Sequence, residues 1–439
     1  MKVDRTPTRR RGGGGEGGRM MSGRGKEIYY IAIAGAGASG LAACIEARKH
    51  TDCARIVVLE KNDKPAKKLY ATGNGRCNLL NKDATFLDYS CAGNYSAREY
   101  AESVFERRSP ERLRSMFEDI GIELVEEEGG RLYPASFQAS SVVKALNQAA
   151  FSEINGKSPV LINNFELVSV RVIMGGIFEL ESADGRVVHA CRLILAGGGK
   201  AGIQYGSDGR CLKIAESLGH SVIKPIPALV GINCDVDESL AGTRARALAR
   251  LYRRRDAAEL PIAQSPGEVQ FQKGYISGIC VMDISGKCRF EEGSSYSLSL
   301  DFMPDLHEAE LELKLEDRFK KFGSFFLDAL LPAKLATMLE SRSDGDAEKL
   351  ARLIKDLRYE VKGTLGWPDA QLTSGGVALN EIKIATMESL KVKDLYFAGE
   401  MLDMDGPCGG YNLSWAFATG SIAGECAAMS LRSTREYKG

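Results

Sequence analysis

The sequence predicts an α/β fold in which a parallel sheet, extended by a β-meander, is built from two separated parts of the chain. Three observations support this. An apolar strand at residues 28–34 leads through a glycine-rich turn into an alanine-rich helix. Short β-rich runs follow at residues 166–190, and strand and helix patterns return at residues 394–429. The segment between them reads as an insertion, β-rich first and helical afterwards.

The composition of the chain argues against a protein that binds nucleic acid or spans a membrane. The 439 residues are enough for two or three domains, and 58 basic residues balance 58 acidic ones, so no net charge attracts nucleic acid or an anionic membrane. The eleven cysteines form no CxxC pair, which indicates reduced thiols. No apolar run reaches the roughly 18 residues of a membrane span. We therefore expect a cytoplasmic protein without nucleic-acid or membrane partners, and the oligomeric state stays open.

The first βαβ unit carries a dinucleotide fingerprint. Gly35-x-Gly37-x-x-Gly40 follows the first strand and opens the helix at residues 41–49, and a second strand, residues 55–59, ends at the acidic residue Glu60. The glycines allow a tight turn, close approach of a pyrophosphate and close helix packing, while the acid accepts hydrogen bonds from ribose hydroxyls. The candidate binding residues here are Gly35, Gly37, Ala38, Ser39, Gly40, Glu60 and Lys61.

The region after this unit distinguishes FAD from NAD. A helix is predicted at residues 140–151 and a strand at residues 159–162. Three runs separated by Gly175-Gly176 and Asp184-Gly185 then predict a three-stranded meander, residues 166–190, which feeds a strand at residues 191–196. A meander and a returning C-terminal segment are typical of the FAD version of this fold. The binding candidates in this region are Leu167, Ala196 and Gly197.

The remaining elements complete the predicted domain organisation. Asp208 and Gly219 are predicted to cap a helix at residues 209–218. The insertion is predicted to be β-rich to about residue 301, with a turn at residues 284–287, and helical afterwards. We expect a disordered tail (1–26), a first part of the FAD-binding domain (27–205), a β-rich insert (206–305), a helical insert (306–365) and a second part of the FAD-binding domain (366–439). A basic arm for RNA or lipid is the alternative reading of the Arg/Gly-rich tail.

Four motifs resemble those of a known family. They lie at residues 67–78, 395–412, 373–377 and, inside the insert, at 267–269 with 276–278. From residue 28 onward the chain resembles the BaiN-like family of NAD(P)/FAD-dependent oxidoreductases, aminoacetone oxidase-like FAD-binding flavoproteins that are distantly similar to the fumarate reductase flavin domain. The resemblance implies FAD contacts in the first three motifs, at Lys68, Asn74, Gly75, Arg76, Cys77, Asn78, Gly375, Gly399, Glu400, Gly409, Gly410, Tyr411 and Asn412.

Several of these residues also have a physical role that the sequence itself suggests. Arg76 offers a fork of donors to a phosphate or a substrate anion, although a surface arginine is the alternative. Glu400 is placed to accept hydrogen bonds from ribityl hydroxyls, or else to cap a turn. Gly409 and Gly410 precede a helix whose N-terminal amides would face the flavin ring, and the absent Cβ atoms would let the backbone approach it.

Three further signals are set aside. Residues 403–406, Asp-Met-Asp-Gly, lack the third acid and the twelfth-position glutamate of a calcium loop, so no metal is expected. Gly199-Lys200 lacks the Ser/Thr and the first glycine of a phosphate-binding loop. Cys77 and Cys408 have no resolving partner at short spacing and are interpreted as packing residues.

The sequence therefore predicts an FAD-dependent oxidoreductase that transfers hydride or electrons between non-covalently bound flavin and a small organic substrate. With a single fingerprint, NAD(P)H would dock transiently as electron donor. None of the four histidines lies in an acid/base motif, so the catalytic residues are unknown. The alternatives are a flavoprotein of tRNA modification, in which FAD serves a methyl transfer, and a flavin-binding protein without turnover.

Overall fold

The computed structural model describes residues 27–255 and 258–436, with side chains as far as residue 431. The predicted disordered tail, residues 1–26, lies outside the described residues. None of the helices in these ranges is both long enough and apolar enough to cross a membrane.

The strands are numbered in chain order. They are β1 (Ile28–Ala34), β2 (Ile56–Leu59), β3 (Leu80–Asn81), β4 (Leu124–Glu127), β5 (Arg131–Pro134), β6 (Val160–Ile162), β7 (Leu167–Ile173), β8 (Ile177–Ser182), β9 (Val187–Leu195), β10 (Val222–Ala228), β11 (Ile232–Asn233), β12 (Arg244–Arg255), β13 (Ala258–Gln272), β14 (Tyr275–Ser277), β15 (Ser294–Asp301), β16 (Leu357–Val361), β17 (Gly363–Thr364), β18 (Leu372–Val377), β19 (Ile382–Lys383), β20 (Glu388–Ser389) and β21 (Leu395–Phe397).

The α-helices are numbered in the same way. They are α1 (Ala38–Ala47), α2 (Ala97–Arg107), α3 (Pro110–Asp119), α4 (Ala139–Phe151), α5 (Arg210–Ser217), α6 (Ile279–Ser285), α7 (Glu308–Phe322), α8 (Ala333–Ser343), α9 (Ala347–Lys355) and α10 (Tyr411–Glu436). Two short 3₁₀ segments, Lys67–Gly75 and Gly399–Met401, border the site described below.

A nine-stranded sheet forms the centre of the molecule, and its main strand order is β19-β20-β21-β9-β1-β2-β6. The strands β21, β9, β1, β2 and β6 run parallel, while the antiparallel pair β7 and β8 attaches to β9. The strand β21 comes from the C-terminal part of the chain and pairs with β9 from the N-terminal part. This arrangement confirms the predicted α/β fold with a discontinuous, Rossmann-like parallel sheet and a β-meander.

The meander differs in one respect from the prediction. Its third strand and the strand that rejoins the parallel sheet are one continuous strand, β9. The first half of β9 pairs with β8, with Ala190 opposite Phe178, and the second half pairs with β21, with Leu193 opposite Leu395. Because β8 and β21 pair with successive parts of the same edge of β9, this one strand is both the third strand of the meander and a strand of the parallel sheet.

The caps predicted for α5 are partly correct. The N-cap residue is Gly209 instead of Asp208, since the helix begins one residue later than predicted. The Asp208 carboxylate still accepts a hydrogen bond from the Arg210 amide at 3.0 Å. Gly219 follows the helix with φ +91°, as its predicted role requires.

The inserted region contains a second sheet, with seven strands in the order β16-β15-β12-β13-β14-β11-β17. Apolar side chains from this sheet and from α7, α8 and α9 form one buried cluster, separate from the cluster around the central sheet. The turn predicted at residues 284–287 is present, with the Lys287 amide donating to the Ile284 carbonyl at 3.1 Å, but it ends a helix that was not predicted, α6 (Ile279–Ser285). Cys280, Val281 and Ile284 on α6 are buried in the insert's cluster.

The first and last helices pack with their backbones in close contact. A Cβ atom at Gly420 would lie 2.2 Å from the Ser39 carbonyl oxygen, and one at Gly424 would lie 2.2 Å from the Ala43 carbonyl oxygen. Both glycines belong to α10, and both carbonyls belong to α1. Only residues without a side chain allow this approach, so the C-terminal helix is an integral part of the N-terminal βαβ unit.

Candidate functional site

A cleft of about 690 Å³ lies at the edge of the central sheet where the parallel strands end. Open α/β sheets bind ligands at this edge, and the volume suits a large cofactor. Of the residues proposed from the sequence, seventeen line the cleft: Gly35, Gly37, Ala38, Ser39, Glu60, Lys61, Lys68, Asn74, Arg76, Asn78, Leu167, Ala196, Gly197, Glu400, Gly409, Gly410 and Asn412. Residues from four distant motifs therefore meet in one place.

The other six proposed residues are not among those that line the cleft: Gly40, Gly75, Cys77, Gly375, Gly399 and Tyr411. Two of them set the distance between backbone segments. A Cβ at Gly375 would lie 2.8 Å from the carbonyl oxygens of Ile223 and Lys224 on β10, and one at Gly399 would lie 2.6 Å from the Ser39 hydroxyl.

Glu60 is held in place by the fingerprint loop. Its Oε2 accepts a hydrogen bond from the Ala36 amide at 2.9 Å, and its Oε1 accepts two from Asn62, both at 2.8 Å. The residue is 7% exposed and borders the cleft. Oε2 has a further lone pair, so a rigidly oriented acceptor remains available to a ribose hydroxyl.

Two helices begin at the cleft. The helix α1 starts after Gly37, and α10 starts after Gly410, so unpaired backbone amides and the positive ends of both helix dipoles face the cleft. The Asn412 side chain folds the loop in front of α10, donating to the Gly406 carbonyl at 2.7 Å and accepting from the Gly406 amide at 2.9 Å. The arrangement favours negative charge at two positions in the cleft.

The reason for glycine at position 410 differs from the expected one. A Cβ there would lie 2.4 Å from the Leu80 carbonyl oxygen, and φ is +100°. Gly410 is thus required by its packing against β3, because a side chain would run into the backbone of Leu80. A valine at this position would disturb the fold before it could report on the cofactor.

A partly buried ion pair connects two of the motifs. Lys68 Nζ lies 2.7 Å from Glu400 Oε2, with side chains 34% and 17% exposed. Glu400 Oε1 also accepts a hydrogen bond from the Thr373 amide at 2.8 Å. Glu400 is therefore neutralised by a lysine, and both side chains border the cleft.

A network of four charges lies at another part of the cleft wall. Lys61 Nζ contacts Asp208 at 2.7 Å and Glu166 at 3.4 Å, and Arg210 contacts Glu166 at 2.9 Å. Burial lowers the pKa of Lys61, but the two carboxylates outweigh it and the pKa is raised. Lys61 thus remains charged and fixed beside the predicted ribose acceptor Glu60.

Sequence reasoning missed several residues of the cleft. Arg131 and Tyr133 come from β5, in a three-stranded sheet, β3-β5-β4, that was not predicted. Ile279 and Met282 come from α6, and Phe165 follows β6. Only Phe165 carried a usable signal, because it lies just beyond the carboxyl end of a strand predicted to be parallel.

The residues that line the cleft suit a bound cofactor that carries hydrogen-bond donors and acceptors. Asn78 Oδ1 and Trp415 Nε1 are buried atoms without a hydrogen-bond partner in the described structure, and both residues line the cleft. Buried polar atoms are rarely left unpaired, so one acceptor and one donor here await a ligand. A Cβ added at Gly37 would have nothing within 4 Å, which leaves open space over the start of α1. Among the described residues no group of three or more His, Cys, Asp or Glu side chains could hold a metal ion.

The thiols near the cleft are expected to be unreactive. Burial raises the pKa of Cys77 to about 11 and that of Cys211 to about 12, and it also raises the pKa of Cys408. We expect native protein at about pH 7 to resist iodoacetamide at these positions, because the thiolate is the nucleophile. Peptide mass spectrometry checks this, with urea-unfolded protein as the fully labelled control. Rapid alkylation of native Cys77 would contradict the packing role.

The fold and the cleft define a flavoprotein with a dinucleotide-binding domain. The chain belongs to the HI0933-like protein Rossmann domain family, which matches residues 29–426. It is 32% identical over 418 residues to a 3-dehydro-bile acid delta(4,6)-reductase of Clostridium scindens, which covers 91% of this chain and 98% of that protein. The predicted family and the predicted class, an FAD-dependent oxidoreductase, are thereby confirmed.

Two more distant similarities complete the comparison. A ribosomal RNA dihydrouridine synthase of Haemophilus influenzae is 27% identical over 405 residues, covering 88% of this chain and 95% of that protein. Among solved structures, the open conformation of a flavocytochrome c3 fumarate reductase is 16% identical, with a TM-score of 0.48, covering 92% of this chain and 78% of that chain.

Proposed function

We propose that the protein holds FAD non-covalently and uses it to reduce a carbon–carbon double bond conjugated to a carbonyl group in a small organic molecule. Both named activities of the relatives support this reaction type. Removing a Δ4,6 double bond from a 3-dehydro bile acid and forming dihydrouridine in ribosomal RNA are both reductions of a double bond in conjugation with a carbonyl. FAD, when bound, supplies the hydride chemistry.

The residues of the cleft have separate functions in this proposal. Glu60 binds ribose hydroxyls, and the amides at the start of α1 bind the pyrophosphate. Asn78 Oδ1 and Trp415 Nε1 add an acceptor and a donor. The amides at the start of α10 stabilise negative charge at that end of the cleft.

The single observation that carries the choice of a small substrate is an apolar wall at the α10 end. The Cys408 amide donates to Asp283 Oδ1 at 2.7 Å, which fastens α6 of the insert against the loop in front of α10. Ile279, Met282 and Leu229 thereby line the same cleft. A flat apolar molecule would pack between this wall and the flavin-binding side.

NAD(P)H is the electron donor in this proposal. The sequence contains one glycine fingerprint, and the cleft is already assigned to FAD. A nicotinamide would therefore bind transiently at the open part of the cleft and leave before the substrate enters.

A second candidate is an RNA substrate, because β12 is rich in arginine. Four arginines lie on the same side of this strand: Arg244, Arg246, Arg250 and Arg254. Carboxylates pair with three of them, Arg244 with Glu268, Arg250 with Asp301 and Arg254 with Glu259. Arginines whose charge is already balanced attract phosphates weakly. The structure therefore favours the small molecule.

The test begins with the flavin itself. We expect yellow protein that releases FAD on acid precipitation, and flavin that is bleached by NADH or NADPH without oxygen. An enone such as 2-cyclohexenone or a 4-en-3-one steroid should then restore the oxidised spectrum. A saturated ketone of the same size is the matched control and should leave the flavin reduced. Reoxidation by neither enone would refute the proposed reaction.

The RNA alternative is tested in parallel by filter binding of a ribosomal RNA transcript at low salt. For an enzyme with a small-molecule substrate, we expect the filter to retain the transcript only weakly, and an equal mass of heparin should abolish this retention. Tight, transcript-selective retention together with dihydrouridine in the recovered RNA would favour the alternative.

A further inference from the structure

A second cavity of about 240 Å³ adjoins the flavin cleft. It lies between β13 and α6 of the insert on one side and the loops at residues 88–90 and 405–407 on the other. Leu229, Leu372 and Pro407 line both spaces. These three residues form a wall common to the second cavity and the apolar end of the cleft, so the two spaces are direct neighbours.

Asp405 is the group of interest in this cavity. The residue is 9% exposed, and its Oδ1 is buried without a hydrogen-bond partner among the described residues. Its backbone is fixed by two hydrogen bonds to Ser90, at 2.7 and 2.8 Å. A buried carboxyl oxygen with no partner is costly, and it persists where it has a function.

Of the other two carboxylates that line the cavity, Asp283 has both oxygens engaged, and Asp88 is held through Oδ2. Asp283 accepts from the Cys408 amide with Oδ1 and from the Ser265 hydroxyl, at 3.0 Å, with Oδ2. Asp88 accepts from the amide and the hydroxyl of Thr85 at 2.7 and 2.9 Å. Asp405 alone among these three has a buried oxygen free for a ligand.

The charged and polar groups around Asp405 come from every element packed against it. Lys287 and Arg289 follow α6, Ser374 lies on β18, and Asp403 lies in the same loop. Lys287 Nζ also donates to the Ser90 hydroxyl at 2.7 Å, and Arg289 donates to the Ser374 hydroxyl at 3.2 Å. Burial raises the pKa of Asp405 to about 7, although Ser374, Lys287 and Arg289 lower it. The carboxyl can therefore carry a proton near neutral pH.

We infer that the second cavity receives part of the substrate and that Asp405 donates the proton that completes the reduction. The inference rests on the proposed function. In the balanced step, the β-carbon of the enone accepts the hydride that FAD, bound and reduced, would supply while being oxidised by two electrons, the C=C π bond breaks, and its electron pair takes the carboxyl proton at the α-carbon. The Asp405 O–H bond breaks, a C–H bond forms, and the resulting carboxylate is protonated again from water.

The first test separates the two half-reactions with the holoenzyme and 2-cyclohexenone as probe. We expect Asp405→Asn to keep its FAD and to be photoreduced like the parent, because proton donation is not needed there. Reoxidation by the enone should slow by about 100-fold or more, the usual contribution of a positioned acid. Asp405→Glu should recover part of the rate. Asp235→Asn, an exposed aspartate paired with Lys362, is the matched control.

The second test needs no turnover. Infrared difference spectroscopy of the holoenzyme should show a protonated carboxyl band that disappears through a transition at about pH 7 and is missing in Asp405→Asn. A carboxyl whose pKa is raised on folding contributes stability that is fully present below its unfolded pKa of about 4 and is lost as the pH rises to the folded value. The Tm of Asp405→Asn relative to the parent should thus increase between about pH 4 and about pH 7 and stay level above that.

The outcomes distinguish the two proposals. If the parent is not reoxidised by any enone, the proposed function fails and this inference fails with it. If the parent is reoxidised and folded Asp405→Asn behaves alike, only the inference fails. If Asp405→Asn does not bind FAD, the kinetic test is made with Asp405→Glu and the infrared titration is made on the parent. Absence of the carboxyl band from the parent then overturns the inference.

Discussion

Gly40→Ala is expected to give a poorly stable protein without flavin, whereas Gly37→Ala should fold normally and bind FAD weakly. A Cβ at Gly40 would lie 1.8 Å from the Gly35 carbonyl oxygen, which forces α1 away from the fingerprint loop. Overpacking of this kind costs about 3 kcal/mol or more, since backbone has to move. A Cβ at Gly37 would meet no protein atom within 4 Å and would enter the space assigned to the pyrophosphate.

The measurement is urea unfolding of the apoproteins together with FAD titration. For Gly37→Ala we expect an unchanged midpoint and an FAD affinity lower by about ten- to hundredfold, the loss of one charge-assisted contact of about 1.5–3 kcal/mol. Gly363→Ala, in β17, is a control for a glycine away from the cleft, because φ there is not positive and a Cβ would meet only Asn233 Nδ2, at an ordinary 3.6 Å. Equal FAD affinity in Gly37→Ala and the parent would place the pyrophosphate elsewhere.

Glu60→Ala is expected to weaken FAD binding by about ten- to hundredfold. The charge-assisted hydrogen bonds to ribose are worth about 1.5–3 kcal/mol each. The same substitution frees the Ala36 amide and both Asn62 donors, so part of the loss comes from a looser fingerprint loop. Glu60→Gln keeps one acceptor oxygen and should lie between the parent and Glu60→Ala.

Fluorescence titration of apoprotein with FAD gives the dissociation constants. Glu360→Ala, at an exposed position on the insert, controls for loss of a glutamate. Adding FMN separates ribose recognition from ring recognition, because FMN lacks the adenosine ribose. An FAD dissociation constant in Glu60→Ala that equals the parent's would remove Glu60 from the ribose site.

The parts of the fold that could be predicted are those encoded locally. The run Ile28–Ala34, the glycines after it and the acid at position 60 occur in one stretch, and each has its own physical signature. The return of the C-terminal segment was predictable from the apolar pattern around Leu395–Phe397 and the alanine-rich helix that follows.

The parts that were missed depend on contacts between distant segments. The sheet β3-β5-β4 has strands of two to four residues, too short to show a period, and it exists because Leu80 pairs with Leu132. The helix α6 has seven residues and lies within a β-rich pattern, so its conformation follows from packing on β13. Asp405 was considered only as part of an incomplete calcium loop, since its burial appears when the insert docks.

The glycine contacts between α1 and α10 bear on how the chain folds as it leaves the ribosome. The N-terminal strand and helix emerge long before residues 411–424, yet the surface of α1 at Ser39 and Ala43 packs against Gly420 and Gly424. The newborn N-terminal half therefore exposes apolar surface throughout synthesis of the insert, a state that favours aggregation and chaperone binding. The cofactor is consequently bound only after translation is complete, and a chain truncated before α10 has an incomplete cofactor-binding cleft.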